Sequence, residues 1–506
     1  GVKEGAVLRV SYIGYVSQDV TFTGGPLEVV LAEDNSTLDE VVVVGYGSTK
    51  KRDLIASVST VKADEISNIP VTNLTQGLAG RSPGLIVQAS GGGINSRPSV
   101  SIRGGGTPLY VIDGVVRSED DFANLSPDDI QSMSILKDAS ATAVYGSRAT
   151  NGIVQVVTKG GKEGKPSIEY DFNFSWAQPN IWPEKLGMVE RAKYANIASR
   201  NDGGEDIYNE AAFKAFQDGS DPEHFSDTNW RKLVLNNWAP QQKHTVRMTG
   251  GTEVNRYYAS FGYIDQQSLY KSNNHWMKRY NFRLAQQSFI KPIGLHVNLT
   301  FDGYIQEQTH PYTSSASGYY HVFSHINDRP GYMPGVNNLG LPYAITDNPV
   351  AETAEDAGYN RGKNHVFNGK GELVWDCLWV DGLKIRLSGD YRYYGNTTKQ
   401  WRKDAAKYNW DSTTPIYDNS PMFYHSSNTG FGFTTQAFVE YAKEFGKHSV
   451  SALAGFERYY ERGESYWERR ENYQFDIDQI EIGPASSQTN GGSEAELGRA
   501  AFIAQA

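Results

Sequence analysis

Long stretches of strict two-residue alternation, which begin at Ser167, constrain the fold of this chain more than any other feature. Apolar or aromatic side chains alternate with polar ones over 167–176, 279–284, 293–305 and 383–393. Successive side chains of a strand point to opposite faces, so each stretch predicts a strand with one apolar and one polar face. In three of these stretches the alternation lasts about nine to thirteen residues, enough to cross a bilayer at a tilt. Strands of soluble sandwiches average about five or six residues.

The connections between these stretches alternate in length. Long or medium segments at 177–241, 266–275, 306–363, 396–431 and 461–495 are separated by tight turns near Thr252, at Lys291-Pro292, at Asp381-Gly382 and at Gly446-Lys447. Short turns on one side and long loops on the other are typical of outer-membrane barrels. Residues 162–506 therefore predict about ten strands of a transmembrane antiparallel β-barrel with long extracellular loops.

Composition excludes several other classes. A chain of 506 residues is too long for one ordinary core, so at least two domains are expected. The net charge of −10 argues against nucleic acid as the main partner. The single cysteine, Cys377, rules out an intramolecular disulfide framework, and no apolar run is long enough for a transmembrane helix. Gly1 to Arg9 lack the features of a signal peptide, so we expect either a cytosolic chain or one that begins after processing.

Residues 50–161 precede the long strands and predict a compact mixed α/β domain, within the usual domain size. The predicted strands are 84–88, 99–103, 109–112, 134–137 and 152–158, with Asp113-Gly114 as a turn. The predicted helices are 71–80 with Asn73 as N-cap and Gly80 as C-cap, one that opens at 126–129, and 139–145 ended by Gly146.

The glycine-rich loops of this domain do not match a phosphate site. Neither Gly91-Gly92-Gly93 nor Gly104-Gly105-Gly106 fits GxGxxG at the start of a helix, and no Walker motif occurs. We interpret them as flexible, closely packed backbone. Charged residues lie at strand ends and turns, and they suit either internal ion pairs or a domain enclosed by a polar wall: Arg103, Asp113, Lys137, Asp138 and Arg148.

Leu38 to Gly47, LDEVVVVGYG, contains four consecutive valines between acidic residues and glycines. Four β-branched residues predict a short strand with two apolar faces. Such a strand is either a central strand of a buried sheet or a docking strand left unpaired for capture by a partner's sheet edge. Residues 1–33 contain further short alternating strands, too few to bury a core alone.

Three stretches carry a resemblance to a known family. They are LDEVVVVGYG, PLYVIDGV at 108–115, and LSPDDIQSMSILKDASATAVYGSRATNGIVQVVTKGG at 125–161. They resemble the TonB box and plug of the SusC-type TonB-dependent transporters (SusC/RagA) of Bacteroidetes outer membranes. Later strands, including FGKHSVSALAGFE at 445–457, resemble the same family's barrel. The final plug strand, IVQVVT, is less uniformly β-branched than we expect for the family.

The resemblance implies a fold and a division of the chain. We expect a barrel of the 22-stranded type holding an α/β plug. Residues 1–34 resemble the end of a carboxypeptidase-regulatory-like β-sandwich, 35–49 hold the TonB box, 50–161 form the plug, and 162–506 form the first half of the barrel. The chain is therefore expected to be truncated at both ends.

The resemblance also implies import of oligosaccharides across the outer membrane, driven through TonB with ExbB and ExbD. The expected partners are a SusD-like surface lipoprotein that acts as a lid, the oligosaccharide, and outer-membrane lipid. A dimer of SusC–SusD pairs is expected as well. No cofactor, metal, catalytic residue or nucleic-acid partner is expected. Oligopeptides are the alternative substrate, and the aromatic, Asn- and Asp-rich loops favour glycan.

Two groups of site residues are predicted. The TonB contact is assigned to Asp39, Glu40, Val41, Val42, Val43 and Val44. Substrate contacts are assigned to the plug apex, formed by the 90–96 loop with 104–107, and to aromatic residues of the long loops. These candidates are Gly92, Gly93, Asn95, Gly105, Thr107, Trp182, Tyr312, Tyr319, Tyr320 and Trp401, and further loop aromatics are Trp230, Trp238, Tyr343 and Trp410. Loop packing or an interfacial aromatic girdle is the competing interpretation of each aromatic residue.

Other classes are disfavoured. A secreted glycan hydrolase needs a pair of catalytic carboxylates, and adjacent acids such as Asp120/Asp121 and Asp128/Asp129 are too close in sequence to nominate one. His321 and His325 have helical spacing, but the sequence shows neither the glutamate of HExxH nor a third ligand. A passive porin needs no globular domain ahead of its strands.

Overall fold

The computed structural model describes residues 5–10, 18–25, 27, 29–31, 41–44, 47–50, 58–62, 65–66, 69, 71–89, 91–138, 142–312, 319–403, 405–418, 420–446 and 448–505. For 7, 9, 41–44, 47–50, 62, 319, 320 and 449 it describes the backbone alone.

Two small hairpins come first. β1 (Val7–Val10) pairs with β2 (Gln18–Thr21), and β3 (Val41–Val44) pairs with β4 (Gly47–Lys50), both antiparallel. The valine run is therefore a strand, as predicted. It is bonded to β4 along one edge, instead of being wholly unpaired.

The plug region contains a five-stranded mixed sheet and a separate two-stranded hairpin. The strands are β5 (Val58–Lys62), β6 (Leu85–Gln88), β7 (Ser99–Ile102), β8 (Leu109–Ile112), β9 (Val115–Arg117), β10 (Ile130–Leu136) and β11 (Ile153–Thr158). The sheet has the order β5-β10-β11-β8-β9, and β6 and β7 form the hairpin. Its short helices are the α-helix Glu119–Asn124 and the 3₁₀ segments Leu74–Leu78, Pro127–Asp129 and Ala143–Ala149. β8 and β11 are parallel, whereas the other neighbours are antiparallel.

Local rules predicted several plug elements. β8 has its predicted bounds, and the Asn73 side chain accepts a hydrogen bond from Thr75 N at 2.9 Å, as an N-cap does. The C-cap is Ala79 instead of Gly80. The turn that opens after Ser126 lasts only from Pro127 to Asp129, because the chain enters β10 at once.

Other plug elements differ from the prediction. The helix assigned to 139–145 lies in part outside the described residues. The described segment, Ala143–Ala149, continues past Gly146, whose φ of 61° makes a kink. The α-helix Glu119–Asn124 was not predicted, although Ser118 and Asp121 form a capping box at its start.

The plug core lies between the mixed sheet and its flanking turns. Its largest fully buried side chains include Phe122, Leu74, Leu78, Ile130 and Met133. Burial of this apolar set, at about 25 cal/mol per Å², stabilises the packing of the plug.

The second large element is a ten-stranded antiparallel sheet in which every strand pairs with the next in the chain. Its strands are β12 (Gly164–Ala177), β13 (Ala239–Gly251), β14 (Asn255–Gln267), β15 (Trp276–Ile290), β16 (Leu295–Pro311), β17 (Tyr359–Asp376), β18 (Leu383–Arg402), β19 (Met422–Phe445), β20 (His448–Glu471) and β21 (Thr489–Gln505). The predicted number of strands and the alternation of short turns with longer connections are confirmed.

The strands are longer than the alternation predicts. β13 and β14 have 13 residues each, but β19 and β20 reach 24 residues each. The predicted loops 396–431 and 461–495 are in part strand: residues 396–402, 422–431, 461–471 and 489–495 continue the pairing of β18, β19, β20 and β21. Alternation marks the membrane-crossing part only, whereas backbone pairing continues beyond it.

The longer connections contain local structure. Helices Met188–Asn201, Glu210–Asp218 and Trp230–Val234 lie between β12 and β13, helices Tyr319–Asp328 and Pro349–Glu352 between β16 and β17, and 3₁₀ turns Ile480–Ile482 and Ala485–Ser487 between β20 and β21. A further 3₁₀ turn, Lys291–Ile293, joins β15 to β16. Among the described residues, no helix is both long and apolar enough to span a bilayer.

The two faces of the large sheet differ in chemistry. The outer face exposes large apolar side chains, among them Ile168, Phe172, Phe261, Leu299 and Phe301. The opposite face carries polar side chains that contact the plug, including Lys243, Arg279, Arg283, Asp390 and Gln436. An apolar exterior with a polar interior is the arrangement of a membrane β-barrel wall.

Candidate functional site

The candidate site is the interface between the plug and the polar face of the large sheet. The Asp113-Gly114 turn joins β8 to β9, with φ of 48° and 80° at its two residues. Positive φ at both central positions suits an Asp-Gly hairpin turn. It brings Asp113 Oδ2 to 3.3 Å from Arg283 Nη2, while Lys370 donates to the Asp113 carbonyl at 2.6 Å and Gln436 to the Gly114 carbonyl at 3.1 Å. One short turn is thereby anchored to three strands.

Burial opposes the ionisation of Asp113, but its neighbours outweigh that effect. Arg283 is the strongest of them, and Thr158 adds hydrogen bonds from its N–H and its hydroxyl. Together they lower the pKa of the Asp113 carboxyl below its ordinary value. Asp113 is therefore held as an anion at the interface.

A second contact joins the end of β9 to β18. Arg117 Nη2 lies 2.6 Å from Asp390 Oδ2, and the two side chains are only 8% and 4% exposed. Burial alone would lower the pKa of Arg117, but Asp390, Asp302 and Asp121 raise it above the ordinary value. Arg392 of the same strand lies 2.9 Å from Asp121, which belongs to the plug helix.

The adjacent acids Asp128 and Asp129 make a third set of contacts between the plug and the large sheet. Lys243 Nζ lies 2.7 Å from Asp128 Oδ2, and the Tyr258 hydroxyl donates to Asp129 Oδ1 at 2.8 Å. Burial is the main reason that the pKa of Asp129 is raised. These two carboxylates hold the plug to β13 and β14, and this contact accounts for the adjacent acids without a catalytic role.

Arg279 of β15 is fully buried and was not singled out from the sequence. Its guanidinium donates to Asn124 Oδ1 at 2.7 Å and to the Thr72 carbonyl. Asn281, two residues on, donates to the Asn124 carbonyl at 2.8 Å. The position of Arg279 on the polar side of the alternation was the one sequence signal for this contact, because Thr72 and Asn124 are far away in the chain.

At the other side of the plug the contacts become partly apolar. Phe438 packs with Val111, Leu136 and Tyr145 of the plug, while Arg148 lies 3.1 Å from Glu457. A cavity of about 220 Å³ lies beside these residues. Its charged lining residues are Arg117, Asp121, Arg148, Asp390, Arg392, Glu457, Glu461 and Arg499.

The described interface thus consists mainly of ion pairs and hydrogen bonds. Polar groups can exchange protein partners for water when a contact opens, whereas a large apolar interface exposes surface that water disfavours. This arrangement can hold a plug firmly at rest and still permit its displacement by an applied force.

The structure does not bring the two predicted apex segments together. β6 and β7 pair Leu85 with Ile102 and Gln88 with Ser99, so 91–96 and 104–107 lie at opposite ends of this hairpin. Asn95 N donates to Gln266 Oε1 at 3.0 Å, near the end of β14 that leads into the 268–275 loop. Gly92 is exposed and Gly93 is buried.

The second segment has different neighbours. Gly105 and Thr107 are exposed, and Asn151 Nδ2 donates to the Thr107 carbonyl at 3.3 Å. Of the two segments, the structure places only 91–96 beside the loop side of the large sheet.

The aromatic candidates are distributed among separate packed clusters. Trp401 is 4% exposed, and its ring meets that of Tyr473 edge-on with the centroids 5.0 Å apart. Its indole Nε1 donates a hydrogen bond to Asp476 Oδ1 at 3.3 Å. Trp182 is half-buried, with the Arg231 guanidinium 4.7 Å from its ring centroid. Trp401 therefore serves loop packing and offers little face to a sugar.

Other aromatic residues have similar roles. Trp230 is buried and donates to the Pro330 carbonyl at 3.2 Å, and the Tyr343 hydroxyl donates to Glu223 at 3.2 Å. Tyr343 and Trp410 meet edge-on, Trp238 is half exposed, and Tyr312 is half-buried. The side chains of Tyr319 and Tyr320 lie outside the described residues, as do Asp39 and Glu40.

Comparison with known proteins agrees with this geometry. Residues 50–153 match the family model described as TonB-dependent Receptor Plug Domain. The chain is 32% identical over 470 residues to TonB-dependent receptor P26 of Formosa agariphila and 27% identical over 461 residues to TonB-dependent receptor SusC of Bacteroides thetaiotaomicron. These alignments cover 89% and 82% of this chain, which spans 44% of the length of either relative.

A solved structure supports the fold. The RagAB peptide importer in the "open-open" state superposes with a TM-score of 0.74 and 24% identity, over 92% of this chain and 54% of that chain. A plug fitted to the polar face of a strand-built wall is the fold of the plug-containing TonB-dependent β-barrel receptors of the outer membrane. In sequence, the chain is similar to SusC-type TonB-dependent receptors of that class.

Proposed function

We propose that the protein imports oligosaccharides across the bacterial outer membrane, using energy delivered through TonB with ExbB and ExbD. The observation that carries this proposal is the plug held against the polar face of the sheet by buried pairs such as Arg117–Asp390. A plug that closes the lumen must move for cargo to pass. Its mainly polar attachment suits repeated release and return.

TonB engagement is assigned to Asp39 through Val44. Extended valines present backbone N–H and C=O groups, and an added strand gains its affinity from main-chain hydrogen bonds. β3 uses one edge to pair with β4. We propose that TonB adds to the other edge or displaces β4, and that the pull then reaches the plug through the chain between β4 and β5.

The SusD-like lipoprotein is proposed as the lid on the side of the long connections. Support comes from the helices there, which expose large apolar side chains such as Ile197 and Tyr194 on Met188–Asn201. We extend the proposal to two such pairs in a dimer, on family resemblance alone.

Oligosaccharide is our proposed cargo, and oligopeptide is the alternative. The resemblance to SusC favours the first, while the structural likeness to the RagAB peptide importer favours the second. The 91–96 loop, which bonds Gln266 near the end of β14, is the proposed contact for cargo, together with loop aromatics that keep an exposed face, such as Trp238. Gly105 and Thr107 remain proposed contacts only if cargo passes the far end of the β6–β7 hairpin.

We propose no enzymatic activity. The paired acids of the plug are explained by contacts to Lys243 and Tyr258. Glycan passing through the protein should therefore emerge with its linkages intact.

The proposal is tested by copurification from outer membranes through a tag on this protein. Mass spectrometry of the isolated complex should detect a SusD-like lipoprotein and a bound, uncleaved oligosaccharide. A bound peptide would keep the architecture and overturn the proposed cargo. Recovery in the soluble fraction, or hydrolysis of added glycan, would contradict the proposal as a whole. An unrelated tagged outer-membrane barrel serves as the control for nonspecific capture.

A further inference from the structure

We propose that His321, His325 and Glu352 form a binding site for a zinc-class divalent metal ion in the long connection between β16 and β17. Each residue can offer one ligand atom, and these atoms lie within 4.8 Å of one another. The sequence shows a histidine pair but no third ligand near it. The fold brings Glu352 to that pair.

The helix Tyr319–Asp328 positions the two imidazoles. Residues four apart share one helix face, and the ring centroids of His321 and His325 are 4.0 Å apart. His325 Nδ1 lies 2.9 Å from Glu352 Oε2. Ligand atoms about 2.1 Å from a tetrahedral zinc ion are about 3.4 Å apart, so only small side-chain adjustments are needed.

Both elements that carry the ligands are fixed to the same core. Val322 and Ile326, on another face of the histidine helix, are fully buried beside Trp230 and Tyr270. Val350, from the short helix Pro349–Glu352, packs against that cluster. The ligand-bearing backbone is therefore held in place before an ion binds, which lowers the entropic cost of binding.

The turn that carries Glu352 is also fixed by hydrogen bonds. The buried Asn348 side chain accepts from Val350 N at 3.0 Å and donates to the carbonyls of Gly335 and Tyr343 at 2.9 Å each. This capping fixes the start of the turn that presents the Glu352 carboxylate.

A further carboxylate faces the other nitrogen of His325. Asp347 Oδ2 is 3.9 Å from His325 Nε2, and Arg329 holds Asp347 at 3.0 Å. A histidine that binds metal through one nitrogen commonly directs the other toward a carboxylate, which fixes its tautomer and orientation. We therefore assign Nδ1 of His325 as the ligand atom.

Two histidines and one carboxylate match the chemistry of zinc, which accepts nitrogen and oxygen ligands. Three protein ligands leave one position for water or for a donor atom of a bound molecule. An ion here would join the helix Tyr319–Asp328 to the turn Pro349–Glu352 and stabilise this connection. This inference does not depend on the proposed cargo.

The test measures metal content in the full protein, purified through a tag without histidines. After stripping with dipicolinate, the protein is dialysed against zinc chloride and then against buffer, and bound zinc is counted by mass spectrometry. We expect about one zinc per chain. His321→Ala and Glu352→Gln should each lower it at least tenfold, whereas His224→Ala, at an exposed histidine of another connection, should not change it.

Cobalt provides a second readout, because tetrahedral Co²⁺ with such ligands absorbs in the visible. The bands should appear in the parent protein and be lost in Glu352→Gln, a near-isosteric change. Heat-modifiable migration in electrophoresis shows that each variant is folded. Failure of the folded parent protein to retain zinc would overturn the proposal, and so would equal retention by both folded site variants.

Discussion

The buried Arg117–Asp390 pair between plug and sheet gives a quantitative test of how the plug is held. Its two side chains are 8% and 4% exposed, and the separation is 2.6 Å. Removing one partner of a buried ion pair leaves an uncompensated charge and costs about 3–5 kcal/mol. Arg117→Gln should therefore lower the free energy of local opening at β8 and β9 by about 3 kcal/mol or more.

The two single changes should differ. Asp390→Asn leaves Arg117 beside Asp121 and Asp302, both of which act on its charge, so this change should cost less than Arg117→Gln. The double variant removes both charges and should cost less than the sum of the single changes, with a coupling of about 1–3 kcal/mol.

Hydrogen exchange of peptides covering β8 and β9 measures this opening in the folded protein. A loss of 3 kcal/mol corresponds to about 150-fold faster exchange. The matched control is Arg97→Gln, which breaks the more exposed Arg97–Asp120 contact within the plug and should cost less than about 1 kcal/mol. Equal effects of Arg117→Gln and Arg97→Gln, or strict additivity in the double variant, would refute this account of the interface.

Two further predictions follow from the interface and the outer face. Because the pKa of Asp113 is lowered in the folded state, its contribution to stability is complete above its unfolded pKa of about 3.9 and is lost as pH falls through the folded pKa. Hydrogen exchange of the β8–β9 peptides, measured as pH is lowered, should show this loss. Asp113→Asn should remove that part of the pH dependence. Leu299 is exposed on the apolar face, whereas Asn298 bonds Glu372 on the polar face. Leu299→Arg should destabilise the folded barrel by about 2–4 kcal/mol and Asn298→Arg by much less, as measured by urea unfolding in lipid vesicles; equal costs would contradict the assignment of the faces.

Much of the fold follows from short-range rules. Two-residue alternation marks each long strand, and the alternation of short and long connections gives the order of the sheet. Asp113-Gly114 predicts its turn because only a few residue types tolerate positive φ. The lengths of β19 and β20 could not be predicted, since pairing above the membrane no longer requires an apolar face.

The contacts of the candidate site depend on long-range placement. Alternation puts Arg279 and Arg283 on the inward face, but nothing local shows that they meet Asn124 and Asp113. For the same reason Trp401 looks like a sugar-stacking residue in the sequence and is buried against Tyr473 in the fold. Glu352 joins the histidine pair only because both segments pack on one core.

The central claim is that force applied to the valine strand opens the plug for import. Adjacent N–H groups of a strand point to opposite edges, so Val42→Pro with Val43→Pro removes one donor from each edge of β3. The matched control is Val42→Thr with Val43→Thr, which keeps the backbone donors and a β-branched shape.

The direct measurement compares surface binding with energised uptake in whole cells, using the ligand recovered by copurification in labelled form. The account predicts that cells with the proline variant bind this ligand normally and fail to import it, while cells with the threonine variant do both. Normal uptake by the proline variant, at equal protein levels in the outer membrane, would contradict the account.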